Sequence, residues 1–463
     1  MPKYIFTLTL VLSSFIGLFA QNTNKQNLDA DSIYRLNTGI FQLDSVSIYY
    51  HEDNEQKNSY GKTDGVTLEQ LLLFAINNNP ELKAMQLKIE SGQKLAEEKT
   101  YLPDPMLEIE TDDVMSDFKR VGMINFYVSQ MFMFPGKLKL DGEMVKNQNS
   151  MMEYEKRNMA AEIFNMIKMN YLDLYFNDRM TKLNYDKQLL IKNILTAAEI
   201  RYSSGRGMQM EVFKAQLEQS KLKNEETILK LQRKNYLTSL TSLTKTVISD
   251  STQFNFNSIE DRMKNLPAIL NDNNDGKEKL INYAFDHRAD VKALKSKLLM
   301  NQTSLELSKL NRYPDFSLKL GYKILPFEEK NAFSFMVGFT IPFAPWTVGK
   351  YNNSIDKNSI MIKSVSEELE AKKNTIREEI TNLIINMKTA QESMTYYKDV
   401  MIPQAENSYK STGYSYESGM AGILDILDSY KMYFEAQSMY YEAENMYLKM
   451  LADLEKASGL NLK

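Results

Sequence analysis

Cysteine is absent from this chain of 463 residues, and histidine occurs only twice. Those two absences exclude disulfides, thiol nucleophiles and zinc-finger spacings. His51 lies in a polar, asparagine-rich stretch and His287 stands alone, so neither joins a serine and an aspartate in a catalytic arrangement. No enzyme activity, cofactor or dedicated metal site is expected. Blocks of one charge are also missing. The 56 Lys and Arg are mixed with 60 Asp and Glu for a net charge of −4, and no basic run points to nucleic acid. Long apolar runs are scarce too. The single strong one, residues 4–19, follows Lys3 and ends at Ala20. It falls short of the roughly 20 apolar residues of a spanning helix and has the pattern of a secretory signal peptide. The sequence therefore predicts a signal peptide at 1–20, cleaved after Ala20, and no lipid anchor, because no cysteine follows. No other run is long enough to span a membrane as a helix.

Glycine and proline are missing from long stretches, and this exposes the organisation. Neither occurs between Glu143 and Ser204, so one helix of about 90 Å is predicted there. Short motifs recur in the same order about 210 residues apart, the mark of an internal repeat. "PELKA" at Pro80 returns as "ADVKA" at Ala289, and "YLPD" at Tyr101 returns as "RYPD" at Arg312. "FPGK" at Phe134 returns as "TVGK" at Thr347, and "YSSG" at Tyr202 returns as "YESG" at Tyr416. The predicted plan is a polar N-terminal extension at 21–64, a first repeat at 65–250, a linker or equatorial segment at 251–277, and a second repeat at 278–463. In each repeat a first helix (67–101, 278–313) leads through a proline, Pro103 or Pro314, to two strands. The strands end near Pro135 and Gly136, or near Pro342, and a long helical hairpin follows. The second long helix, 353–417, carries Pro403, where a kink or break is expected. Ile380, Leu383, Met387, Ala390, Met394, Tyr397 and Met401 alternate steps of three and four, as do Tyr433, Ala436, Tyr440, Ala443, Tyr447, Met450 and Leu454. Such a seam requires a partner helix, although its period does not give the number of helices.

The predicted strands, in 106–132 and 316–343, alternate at period two. In the clearest, Phe333, Phe335, Val337, Phe339, Ile341 and Phe343 share one face, and Ser334, Met336, Gly338 and Thr340 share the other. Apolar-out, polar-in alternation marks an outer-membrane barrel strand, though a soluble sheet with one face on a core alternates in the same way. The export signal, the phenylalanine-rich face, and Phe132, Phe134, Phe343 and Trp346 at the strand ends favour lipid. Four strands do not close a barrel, and open edges are not tolerated in lipid. Several chains must then share one, and three would supply twelve strands.

This order of elements resembles the TolC family of outer-membrane efflux channels. The matching residues are Pro103, Asp104 and Pro105 before the first strand, and Pro135, Gly136 and Lys137 after the second. With them go "RYSSG" and "MEVFKAQ" in the first repeat and "YESG" and "LDILDS" in the second. The resemblance implies a mainly α protein with a membrane β-barrel: a homotrimer whose shared twelve-stranded barrel stands on a long coiled-coil helical tunnel in the periplasm. It implies periplasmic tip turns at Gly205, Gly207, Gly419 and Gly422, and as partners an adaptor protein, an inner-membrane pump, of RND type in this branch, and outer-membrane lipid. It further implies that Asp425 and Asp428 line a constricted aperture and that Tyr416 and Glu211 hold its closed state. Helix capping is the other reading of the two aspartates. No arginine lies between Gly419 and Asp425 to form a latch. "QMFMFPGKLKL" after "LPDP" resembles the heavy-metal efflux branch. Met131 and Met133 are expected to face the lumen, but methionine is more often core filler than a metal ligand. Type I protein secretion or drug efflux is the alternative cargo, and an exported structural coiled-coil protein is the alternative of another class.

Overall fold

The structure, a computed structural model, describes residues 65–114, 121–259, 274–325 and 330–459. The expected signal peptide, the 21–64 extension and the middle of the 251–277 linker lie outside the described residues. Contacts divide the chain into residues 1–59 and 60–463, and the described residues all belong to the second unit.

The helix expected at 67–101 is two helices, α1 (Leu68–Asn78) and α2 (Pro80–Glu98). Proline disfavours helical backbone in the residue before it but fits a first helical position, where no donor is needed. Asn79 is accordingly extended, and its Oδ1 accepts from the Glu81 and Leu82 amides at 2.8 and 3.3 Å. The expected 278–313 helix is broken likewise, into α5 (Asn274–His287) and α6 (Ala289–Leu310). Here no proline is involved. Arg288 is extended, and its guanidinium donates to Asp290, to Glu379 and to the Ala457 carbonyl. The Asp290 carboxyl would be pushed up by burial, but hydrogen bonds and charge from Arg288, then Lys372, hold it down at about 2.

The long helices follow the glycine and proline gaps. Helix α3 runs from Lys137 to Ser203 and α4 from Gln209 to Thr244. In the second repeat α7 (Val348–Tyr396) passes through a π-helical turn (Tyr397–Met401) into α8 (Ile402–Glu417), and α9 (Ile423–Ser458) returns. The 353–417 helix thus begins earlier than expected and is interrupted just before Pro403. Helix α3 packs along α4, α6 and α9, and α7 packs along α9. Ile380, Met387, Ala390 and Met394 of one seam are buried with Ala443, Tyr447 and Leu454 of the other. No helix among the described residues is long and apolar enough to cross a membrane.

The strands β1 (Met106–Val114), β2 (Val121–Phe132), β3 (Phe316–Leu325) and β4 (Lys330–Phe339) form one antiparallel sheet in that order. The last strand stops at Phe339, short of the expected 343. Pro342 has no amide to donate, and the chain turns there, with the Thr347 hydroxyl donating to the Pro342 carbonyl at 3.0 Å. One face carries Leu107, Ile109, Phe126, Val128, Leu320, Phe333, Phe335, Val337 and Phe339, all exposed. The other carries Glu108, Tyr127, Ser129, Met131, Lys319 and Ser334. There the Lys319 ammonium pairs with Glu108 and lies 4.2 Å from the Tyr127 ring centroid. A core would cover the apolar face. Here it is the polar face that is crowded, with Asn125 and Tyr127 buried.

Candidate functional site

Helix α3 joins two clusters of the sequence-predicted residues. At its C-terminus lies the pair of glycine turns. Helices α3 and α8 each end with a glycine in the left-handed region, Gly205 at φ +69° and Gly419 at φ +80°. Only glycine takes that conformation without steric cost. The two turns are built alike. The Gly205 and Arg206 amides donate to the Tyr202 and Arg201 carbonyls, and those of Gly419 and Met420 donate to Tyr416 and Ser415.

Between the turns sits a contact that joins the two hairpins. Tyr416 at the end of α8 is buried, 1% exposed. The Arg201 guanidinium, from α3, donates to the Tyr416 carbonyl and stands 4.6 Å over the Tyr416 ring. Glu211, in the first turn of α4, lies 3.5 Å from the Tyr416 hydroxyl and 4.0 Å from Arg201 Nε. Burial raises the Tyr416 hydroxyl pKa and the Glu211 carboxylate raises it further, while Arg201 opposes both. Gly207 is packed in this contact, since a Cβ there would stand 3.0 Å from that of Arg201. The stretch between Gly419 and Asp425 holds no arginine, and the one that reaches Tyr416, Arg201, comes from the other hairpin. The one signal for it is its place at the head of "RYSSG", the motif that opens the first turn.

Asp425 and Asp428 are both exposed, one helical turn apart at the start of α9, with buried Ile426 and Leu427 between them. Asp425 Oδ2 accepts from the Gly422 amide at 2.8 Å, so it caps α9. Asp428 makes no such bond and points to solvent. The structure thus sets one aspartate in a structural bond while both present charge on one exposed face. Among the described residues no cluster of three or more histidine or acidic side chains could hold a metal ion.

At the other end of α3 lies the strand junction. Gly136, at φ +96°, turns the chain from β2 into α3. Lys137, the first residue of α3, is buried and crosses to β3: its Nζ is 2.8 Å from Asp315 Oδ1 and 3.0 Å from the Tyr313 carbonyl. The same Asp315 oxygen accepts from the Phe134 amide at 2.7 Å, and the Phe134 ring stacks on Tyr313 at 4.6 Å. Pro314 therefore sits between two residues that receive β2. The Pro103 carbonyl accepts from the Gln130 side chain at 2.8 Å, while Pro135 is exposed in the turn and Pro342 is buried. Met131 lies on the polar face.

Residues 280–460 match the family model described as outer membrane efflux protein. Among solved structures, the outer-membrane channel OprN is 13% identical with a TM-score of 0.70, covering 85% of this chain and 90% of that chain. CusC, whose structures concern folding and transmembrane channel formation, is 14% identical with a TM-score of 0.69, over 88% of this chain and 96% of its own. The CmeC outer membrane channel of Campylobacter jejuni is 14% identical with a TM-score of 0.68, over 90% and 94%. No curated protein sequence matches significantly.

Proposed function

We propose that this chain, whose residues 280–460 match the outer membrane efflux protein family, is a channel of the outer membrane and the passive exit duct of a tripartite efflux system. Three copies share one barrel, and an adaptor and an inner-membrane pump of RND type open the duct at the glycine turns. The observation that carries this reading is the four-stranded sheet with an exposed apolar face, a crowded polar face and two unpaired edges. Such a sheet meets the demands of lipid only when further copies close it. Heavy-metal cations are the cargo favoured by the resemblance around Gln130–Leu140 to that branch.

Asp425 and Asp428 form the aperture in this reading. Three copies bring six carboxylates into one constriction, and such a ring favours cations and binds multivalent ones. The cap made by Asp425 is compatible with this role, because one of its oxygens remains free. Single-channel conductance in a planar bilayer tests the reading, comparing the parent with Asp425→Asn/Asp428→Asn in the presence of a trivalent cation. The expected result is block of the parent and at least a tenfold weaker block of the double variant. Equal block of both would return the aspartates to helix capping and leave the channel standing. A folded protein that conducts nothing would remove the duct itself.

A further inference from the structure

The repeat built into the chain says how one copy meets the next. Within a copy, the seam between the repeats is the β2–β3 pairing, closed at its base by Lys137 and Phe134 on Asp315. Each of these residues has a counterpart in the other repeat, and every counterpart lies at an open edge. Asp104 of "YLPD" precedes edge strand β1 as Asp315 of "RYPD" precedes β3. Phe343 stands as far past Gly338 of edge strand β4 as Phe134 stands past Ser129 of β2, and Lys350 of "TVGK" answers Lys137 of "FPGK".

Exposure separates the two sets. Lys137 and Asp315 keep only 8% and 15% of their side-chain surface, whereas Asp104 and Lys350 are exposed and make no ion pair among the described residues. Phe134 is stacked on Tyr313, but Phe343 is 68% exposed, as is Leu102, the counterpart of Tyr313, at 47%. The edges carry the parts of a second such seam, with complementary charge, and lack only each other.

The pairings also fix a register. Met106 faces Ser129 and Ser317 faces Gly338, so Ser129 corresponds to Gly338 and Met106 to Ser317. In the inner seam Ser129 faces Lys319, whose counterpart is Glu108. Gly338 must then face Glu108, Val337 face Ile109, and Met336 face Glu110. Faces agree without adjustment: Val337 and Ile109 are both on the exposed apolar side, and the other two pairs are on the polar side.

We propose that β4 of one copy pairs antiparallel with β1 of a second copy in this register. The partner's Asp104 then receives the Phe343 amide and the Lys350 ammonium. The connection to Lys350 is longer than that to Lys137, running through Ala344, Pro345 and Trp346. It is folded back by the Thr347 hydroxyl on the Pro342 and Ala344 carbonyls, and the lysine stem spans the remainder. This inference rests on the reading of the chain as a shared-barrel channel.

A chain without cysteine gives a clean background for cross-linking. Met336→Cys/Glu110→Cys, purified in detergent and oxidised, is expected to run as covalent dimers and trimers under denaturing conditions. Met336→Cys/Met106→Cys, about 13 Å out of register along the strand, is expected to stay monomeric. If the shifted pair links instead, or neither links in a preparation of native trimer mass, the register is wrong while the shared barrel survives. A preparation that is monomeric by native mass would overturn the channel reading as well. The charge pair is tested separately. Asp104→Lys and Lys350→Asp are each expected to lose most of the trimer at a temperature where the parent is intact, and the double exchange to regain it. No loss in the single variants would remove the Lys350 contact.

Discussion

Arg201 is the residue on which the two hairpins depend at their turns. It directs a donor to the Tyr416 carbonyl and its cationic face to the Tyr416 ring, while its Nε is buried without a hydrogen bond among the described residues. A charged donor to a part-buried carbonyl contributes about 1.5–3 kcal/mol. Arg201→Ala is therefore expected to speed amide exchange across residues 414–421 by roughly 10- to 100-fold. Arg201→Lys should recover only part of this, since an ammonium lacks the planar fork that stacks and donates together. Exchange unchanged in both variants would show that Tyr416 is held by its apolar neighbours alone. Motif order places Tyr416, Glu211 and the aspartates beside the glycine turns, and it was the resemblance to a channel family that singled them out there. Arg201 was not legible as a partner, because nothing in a linear motif says which hairpin reaches across to which.

At the scale of elements, the seam of α7 and α8 explains the π turn. The seam runs Ile380, Met387, Met394 and Met401 in regular steps, then resumes at Tyr409 and Tyr416. Between Met401 and Tyr409 the sequence carries one residue more than the heptad step. A π turn accommodates a single extra residue in a helix, and the Ile402 amide accordingly reaches back to the Tyr397 carbonyl. Pro403 follows at a position where a missing donor costs least. Deleting exposed Val400 together with Pro403→Ala should convert the turn to α-helix and leave both halves of the seam in phase. Thermal unfolding within a few degrees of the parent is expected. Deleting exposed Ile385 should instead rotate Met387, Ala390 and Met394 off the seam. At about 2–5 kcal/mol for each large core side chain lost, that variant is expected to unfold far earlier. Equal melting of the two would mean that the π turn does not serve the seam. The heptad pattern was readable from sequence on both sides of Pro403. The phase slip was also present there, but a proline offers a simpler reading, a kink, and only the backbone separates the two. The breaks at Asn79 and Arg288 divide in the same way: the first has a proline as its signal, the second depends on acids and a carbonyl distant in sequence.

For the whole described molecule, the sheet determines where the protein lives. Its outer face exposes Phe333, Phe335 and Phe339 at 87, 64 and 66%, and a sheet in water would hide these rings. Its inner face is closed by Tyr127, Asn125 and the Lys319–Glu108 pair, so no second layer of core fits there. Lipid on one side and an aqueous lumen on the other satisfy both faces at once. Substitutions on the two faces must then differ in kind. Phe335→Arg places a charge in the apolar band, at a cost of about 2–4 kcal/mol near the middle of the bilayer. It is expected to lower the folded fraction recovered from outer membranes severalfold. Glu110→Arg, on the polar face of the opposite edge strand β1, should leave that fraction unchanged and shift ion selectivity toward anions. The comparison separates a barrel from a soluble sheet, because burying the phenylalanine face against protein would also make Phe335→Arg costly but would give Glu110→Arg no ion current to alter. Membrane fractionation followed by reversal-potential measurement on the same two variants reads both halves of the argument.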